Sequence, residues 1–217
     1  MYTALMDKRI IECVPNFSEG RDKEIIKNIT DAITTVEGVA LLDVDPGEAT
    51  NRTVVTFAGE PEAVAEAAFR GICKAAELID MSKHHGAHPR MGATDVCPFV
   101  PVSGVTLEEC AELARKLGRR VADELGIPVY AYEAAAFTPE RKNLAICRKG
   151  EYEGLAARMG AGDGADFGDR KFDEKMARTG ATAIGARDFL IAVNFNLNTT
   201  STRRANAIAF DVREKGR

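Results

Sequence analysis

The three histidines of this chain fall within five residues, His84, His85 and His88, in the string MSKHHGAHPRMG (81–92). A neutral imidazole, with an ordinary pKa of about 6.5, can take up a proton and return it at neutral pH, which makes the cluster a candidate for general acid–base chemistry. His84 and His88 also have the i, i+4 spacing of a helical zinc pair. Gly86 and Pro89 oppose a helix here, however, and no Glu stands in the place it holds in HExxH, so no metal site is expected. The plain alternative is a histidine hydrogen-bonded to a loop carbonyl, and the spacing leaves that alternative open.

Other polar residues collect at the ends of apolar runs: Asn16, Ser18 and Glu19 after the first, Asp43 and Asp45 at the close of LLDVD, Asn51 and Arg52 at the start of the next. Residues i and i+2 of a strand point to one face, and carboxylates on a strand are costly unless solvent, a cation or a donor receives them. Asp43 reads as a cap of a turn at Pro46-Gly47. Asp45 is the candidate to orient an imidazole, as a carboxylate fixes a histidine tautomer. Arg52, and Arg90 two residues beyond His88, could meet anionic substrate groups with their guanidinium forks, the alternative being solvated surface arginines. Gly162, Gly164 and Gly168 form no GxxxxGK[ST] loop, so no nucleotide cofactor is indicated.

Positioning these residues falls to short strands and amphipathic helices. Strand-like runs cover 9–17, 39–45, 51–59, 94–102, 127–133 and 188–197. Helical spacing covers 21–36, 61–80 with Pro61 at its start, 106–125 and 201–217. Thr106 with Glu109 makes a capping box, and Gly126 stops that helix. A short helix is expected from Thr138-Pro139, and the stretch 160–180 reads as a long Gly- and Asp-rich loop. Up to residue 102 the order is βαββαβ, which predicts an α+β fold: a ferredoxin-like sandwich with added helices and a strand. The last strand and helix look like the start of a second such half, since one strand and one helix cannot bury their faces alone.

Composition narrows the function classes. The chain has 217 residues, 45% of them hydrophobic and 29% charged, enough for a self-sufficient core. With 29 Lys and Arg against 33 Asp and Glu it is too acidic for a protein built on a nucleic-acid backbone. Cys13, Cys73, Cys97, Cys110 and Cys147 form no CxxC pair and read as reduced thiols. No signal peptide or membrane-length apolar run stands out, so a cytoplasmic location, without membrane partner, is expected.

The strings IIECVPNFSEGR (10–21), LLDVDPGEATNRTVVTFAG (41–59), LIDMSKHHGAHPRMGATDVCPFVPV (78–102) and GARDFLIAVNFNL (185–197) closely resemble the glutamate formimidoyltransferase family. That domain also forms the N-terminal part of formimidoyltransferase-cyclodeaminase. The resemblance implies transfer of the formimidoyl group from N-formimidoyl-L-glutamate to N5 of tetrahydrofolate, a co-substrate, in histidine degradation, with no metal. It implies that His88, in the HPRMG string, is the catalytic base and acid, with Asp45 orienting it or stabilising its charged form. Arg52 and Arg90 are the expected substrate contacts, and His84 and His85 are ancillary. Folate contacts carry over to Gly168, Phe172 and Gly180, while the interior DEKMART departs from the family pattern; Arg170 and Lys171 would suit a polyglutamate tail.

The resemblance also divides the chain into an N-terminal subdomain, 1–183, and the beginning of a C-terminal subdomain, 184–217, which looks truncated. A homodimer or a partner chain supplying the missing half is therefore expected. Two alternatives stand beside transfer of the formimidoyl group: a non-catalytic or partner-dependent folate-binding subunit, and formyl transfer between glutamate and tetrahydrofolate.

Overall fold

A computed structural model describes residues 8–168, 171–191, 195 and 197–213. Its long helices form where apolar side chains recur at helical spacing, and each begins on a different device. The Asp22 carboxylate accepts from the backbone N–H groups of Glu24 and Ile25 to start α1 (Lys23–Thr34). Pro61 opens α2 (Pro61–Leu78), and the Thr106/Glu109 capping box opens α3 (Leu107–Leu125), which Gly126 ends with φ 63°. Their apolar stripes, among them Ile29, Ile33, Val64, Ile72, Leu117 and Val121, pack on one face of a single sheet.

The sheet contains β1 (Ile10–Cys13), β2 (Asn16–Phe17), β3 (Val39–Gly47), β4 (Arg52–Gly59), β5 (Thr94–Ser103), β6 (Val129–Glu133) and β7 (Thr182–Ala186). Across it the order is β3, β4, then β1 and β2 end to end, then β5, β7 and β6. Neighbours run antiparallel from β3 to β5, and β5, β7 and β6 run parallel. The architecture is mixed α+β, and the expected βαββαβ order is present as far as β5.

Several boundaries differ from the sequence reading. The run 9–17 is divided at Val14-Pro15, because Pro15 has no N–H to give to a ladder and supplies only its carbonyl, to Val55. Strand β3 carries on through Pro46 and Gly47, so the turn lies at 48–51, where Asn51 takes φ 48°. The stretch read as loop contains α6 (Glu174–Thr179), started by the Asp173 carboxylate on the N–H of Met176. Ahead of it lie α4 (Leu144–Cys147) and α5 (Glu151–Gly160).

The strand that joins the sheet near the C-terminus is β7, in ATAIGA. Of the range 188–197, residues 188–191, 195 and 197 are not in a strand, and 192–194 and 196 lie outside the described residues. Small residues crowd β7 and all five are buried, so its sequence carries no polar–apolar rhythm. The final helix, α7 (Thr202–Val212), is capped by Ser201, whose side chain accepts from the Arg204 N–H, and 214–217 lie outside the described residues.

Among the described residues, the face of the sheet away from α1, α2 and α3 is covered on one half only. Over β5, β7 and β6, a second core joins Met91, Val96, Tyr130, Tyr132 and Ala183 to Cys147 of α4 and Leu155 of α5. Over β3 and β4 no described residue forms such a cover. Thr53, Val55 and Phe57 of β4 point to the helices and are buried, whereas Arg52, Val54 and Thr56 point the other way and are partly exposed. The border between the two halves holds the histidine loop.

Candidate active site

Three segments distant in sequence converge at that border. After a 3-10 turn at Met81–Lys83, capped by Asp80, the histidine loop runs along the β3–β4 turn. The N–H groups of Ala87 and His88 donate to the carbonyls of Ala49 (3.3 Å) and Thr50 (3.4 Å). Asn51 fastens the pairing: its Nδ2 donates to the His85 carbonyl (3.0 Å), and its Oδ1 accepts from the N–H of Gly20 (3.0 Å). Gly86 is needed for this approach, since a Cβ there would lie 2.2 Å from the Thr50 carbonyl oxygen. At the loop's far end Ser18 Oγ donates to the Gly92 carbonyl (2.7 Å).

His88 emerges from this frame half-buried, with its Nδ1 buried and without a hydrogen-bond partner among the described residues. Its pKa is lowered to about 4, by burial first and then by the nearby cations Arg52 and Arg148, with His84 and Arg90 adding to them. The ring is therefore neutral at pH 7 and has a free site for a proton. Arg52 beside it donates from Nη1 to the Asn16 Oδ1 (2.7 Å), a neutral acceptor, while its Nε is buried and unpartnered among the described residues. Burial lowers the Arg52 pKa, Asp45 pulls it back up, and Arg148 adds to the lowering.

Asp45 stands opposite Val54 in the β3–β4 register, on the uncovered face with Arg52. It is exposed and forms no hydrogen bond among the described residues, so its link to the site is electrostatic and runs to Arg52. Asp43, opposite Thr56, shares that face, and solvent receives both carboxylates.

Arg90 occupies a different environment. It is only 5% exposed and its five N–H donors are all engaged. Nε donates to His84 Nδ1 (3.2 Å), Nη2 to the His84 carbonyl (3.2 Å) and Glu153 Oε1 (2.7 Å), and Nη1 to Glu153 Oε2 (2.8 Å) and Glu151 Oε2 (3.5 Å). Because His84 Nδ1 accepts, its proton is on Nε2, which donates to the Asn51 carbonyl (2.9 Å). The structure thus groups His88 with Arg52 and leaves Arg90 no donor for a substrate.

Two participants escaped the sequence reading. Asp95 is completely buried and accepts from the Met91 N–H (3.1 Å) and from Nε and Nη2 of Arg148, which faces His88 electrostatically. Burial pushes the Asp95 carboxyl up in pKa, against the opposing pull of Arg148. One signal could have revealed the pair: an aspartate at the start of the apolar run TDVCPFVPV needs a buried donor for the same reason weighed for Asp43 and Asp45.

The three glycine and aromatic positions expected to meet folate have separate surroundings. Gly168 lies beside Ala122 and Pro128, and Phe172 lies 6.5 Å from the Tyr152 ring, centroid to centroid. Gly180 is bridged to Gly92 and has φ 65°; a Cβ on it would lie 2.2 Å from the Met91 carbonyl oxygen. The HPRMG string and the end of the 168–180 segment are therefore one backbone unit, tied further by Ala93 N–H to the Thr179 carbonyl (2.8 Å). Lys171 is exposed, and Arg170 lies outside the described residues. Among the described residues no three His, Cys, Asp or Glu side chains converge as a metal-ligand set, and no helix is long and apolar enough to cross a membrane.

Comparison with known proteins gives the family. Residues 10–187 match the family model for the formiminotransferase domain, N-terminal subdomain. The chain is 52% identical over 211 residues to the formimidoyltransferase-cyclodeaminase of Sus scrofa, covering 96% of this chain and 38% of that protein. Against the glutamate formimidoyltransferases of Streptococcus pyogenes serotype M1 and Thermoplasma acidophilum it is 46% and 47% identical, covering 69% and 68% of their lengths. The chain thus spans a little over a third of the bifunctional relatives and about two thirds of the single-function ones. With the match to the family model running from Ile10 to Arg187, this chain belongs to the formiminotransferase family.

Proposed function

We propose that this chain carries the reacting centre for transfer of a formimidoyl group from N-formimidoyl-L-glutamate to N5 of tetrahydrofolate, releasing glutamate. The observation that carries this reading is the pairing of a neutral His88, whose Nδ1 has no partner, with Arg52, a guanidinium with an orphaned Nε and no carboxylate bonded to it. A buried donor and acceptor left unmatched are each costly, and a ligand with a carboxylate and a mobile proton would satisfy both.

The chemistry balances on one imidazole. N5 attacks the formimidoyl carbon and forms a C–N bond, and His88 takes the N5 proton as the tetrahedral intermediate forms. His88 then gives that proton to the glutamate nitrogen as its C–N bond breaks, and returns to the neutral state. Acid–base catalysis of this kind is worth about 10²–10⁴ in rate, and holding both substrates in place contributes further. Arg52 receives a glutamate carboxylate. Asp45 acts through Arg52, moderating its charge near the imidazolium that forms in the reaction. Folate is held along 168–180, with Phe172 and Tyr152 as the aromatic surface and Gly180 setting the backbone against Met91 and Gly92.

The antiparallel neighbours β5, β1, β4 and β3 support a ferredoxin-like reading of the first subdomain. Because β7 is part of this sheet, we place the subdomain boundary after Arg187 instead of at 183. Beyond it Phe189, Leu190, Ile191 and Phe195 face solvent, Ile191 at 89%, and α7 buries none of its residues. Such a surface supports a second copy or a partner chain that covers it and completes the substrate cleft over β3 and β4. The five free thiols fit a reducing cytoplasm.

The test is to incubate the purified chain with N-formimidoyl-L-glutamate and tetrahydrofolate and follow 5-formimidoyltetrahydrofolate, beside His88→Ala and a parallel run with N-formyl-L-glutamate. Product formation lost in His88→Ala supports the reading. A folded chain inactive alone and active with the C-terminal subdomain of a relative added assigns it to a partner-dependent enzyme, and preference for the formyl donor overturns the assigned substrate.

A further inference from the structure

We infer that Arg90 is a positioning residue, clamped by Glu153, that sets His88 in place through His84 and the β3–β4 turn. Hydrogen bonds carry this path from Glu153 to Asn51, the chain itself carries it to Thr50 and Arg52, and from there it reaches His88 by a hydrogen bond to the backbone and by charge at the ring. The Glu153 carboxylate, on the first turn of α5, grips both terminal nitrogens of Arg90 at 2.7 and 2.8 Å. Arg90 in turn holds His84 at two points, ring Nδ1 and backbone carbonyl, each at 3.2 Å. His84 Nε2–H then reaches the Asn51 carbonyl at 2.9 Å, and Asn51 ties down the His85 carbonyl at 3.0 Å. Thr50, the next residue back, accepts from the His88 N–H, and Arg52, the next residue on, is the cation beside the His88 ring.

The loop from 84 to 88 is thus held along its backbone at His84, His85, Ala87 and His88, and these anchors determine where the His88 imidazole, itself without a hydrogen bond at Nδ1 among the described residues, sits. Lysine cannot replace arginine in this role, since a point charge with three donors cannot span His84 and both Glu153 oxygens in one plane. A misplacement of about 1 Å at a reacting group can cost about 10² in rate without loosening substrate binding. That is the signature expected here, and it differs from the signature of a substrate contact.

This inference rests on the proposed transfer reaction for its kinetic readout, and a second readout keeps the two separable. The experiment compares the full chain with Arg90→Lys and Glu153→Gln by imidazole nitrogen–carbon correlated spectra and by transfer kinetics, with the C-terminal subdomain of a relative added where the chain requires it. The wild type is expected to show His84 with its proton on Nε2. Arg90→Lys should shift both the His84 and the His88 ring signals, lower kcat about 10²-fold and leave KM for N-formimidoyl-L-glutamate within about threefold. Glu153→Gln, a milder change at the exposed end of the clamp, should do the same to a smaller extent, and it takes over the test if Arg90→Lys does not fold.

A KM raised tenfold with kcat preserved would make Arg90 a substrate contact and overturn the inference. Unchanged His88 signals in a folded variant would overturn it as well. Absence of turnover in the wild type under every condition would sink the proposed reaction, while the ring spectra would still decide this point.

Discussion

His84 and His88 belong to one loop, four residues apart, yet their surroundings are opposites. Around His84 every polar group is matched: both ring nitrogens are bonded, and the arginine that holds it has spent all five donors. Around His88 the polar groups are left over, with an unpartnered Nδ1 and an unpartnered Arg52 Nε. Evenly satisfied polar groups make a rigid support, and unsatisfied buried ones mark where a ligand is received. The same contrast separates the two halves of the outer sheet face, one packed under α4 and α5, the other open and lined by Arg52, Asp43 and Asp45.

The contrast can be broken at either end. The largest effect is expected from His88→Ala, which should cut kcat by about 10²–10⁴, about 3–5 kcal/mol of transition-state stabilisation, without lowering the melting temperature. Next is Asp95→Asn, which leaves Arg148 without its counter-charge beneath the loop. A loss of about 3 kcal/mol in urea unfolding is expected, at the low end for a buried pair because Arg148 keeps some contact with solvent.

Smaller again is His84→Phe, which orphans Arg90 Nε and the Asn51 carbonyl and should cost about 1–3 kcal/mol in the same measurement. Its turnover should fall less than that of His88→Ala. If His84→Phe abolished turnover and His88→Ala did not, the roles given to the two histidines would be reversed.

The smallest change, and the sharpest, is in pH dependence. A base must be unprotonated to act, so kcat/KM should persist as pH falls and be lost only around pH 4, where His88 titrates. Arg52→Gln removes a cation that disfavours the imidazolium, and should raise this acid limb part of the way toward 6.5, since burial, the larger cause, remains. Linkage has the same sign. The folded-state pKa lies below the unfolded value of about 6.5, so the neutral ring's contribution to stability is complete above that pH and is lost as pH falls to about 4. His88→Gln should flatten the stability profile across that window.

Much of this frame was legible in the residues. The α3 capping box, the Gly126 stop and Pro61 at the head of α2 all stand where the sequence puts them, because each depends on neighbours within a turn. His88 was legible as a titratable group in a loop that cannot be helical. Strand β7 was not, because a buried parallel strand of Thr, Ala, Ile and Gly carries no alternation, while the more strongly patterned 188–197 drew the assignment. Helix α6 was hidden among glycines and charges, and shows only through Asp173 reaching Met176.

By itself, then, the sequence determined the local devices and the identity of the groups able to do chemistry: caps, stops, amphipathic stripes, a histidine cluster and a set of arginines. Only the tertiary structure decided which of those groups are spent and which remain available. Arg52 and Arg90 look equivalent in the sequence, but Arg90 meets Glu153, 63 positions away, and Arg52 meets a neutral Asn16, 36 positions away. Hydrogen-bond satisfaction in a buried site is set by partners that the sheet brings together over such separations, and no pattern spanning a few residues contains them.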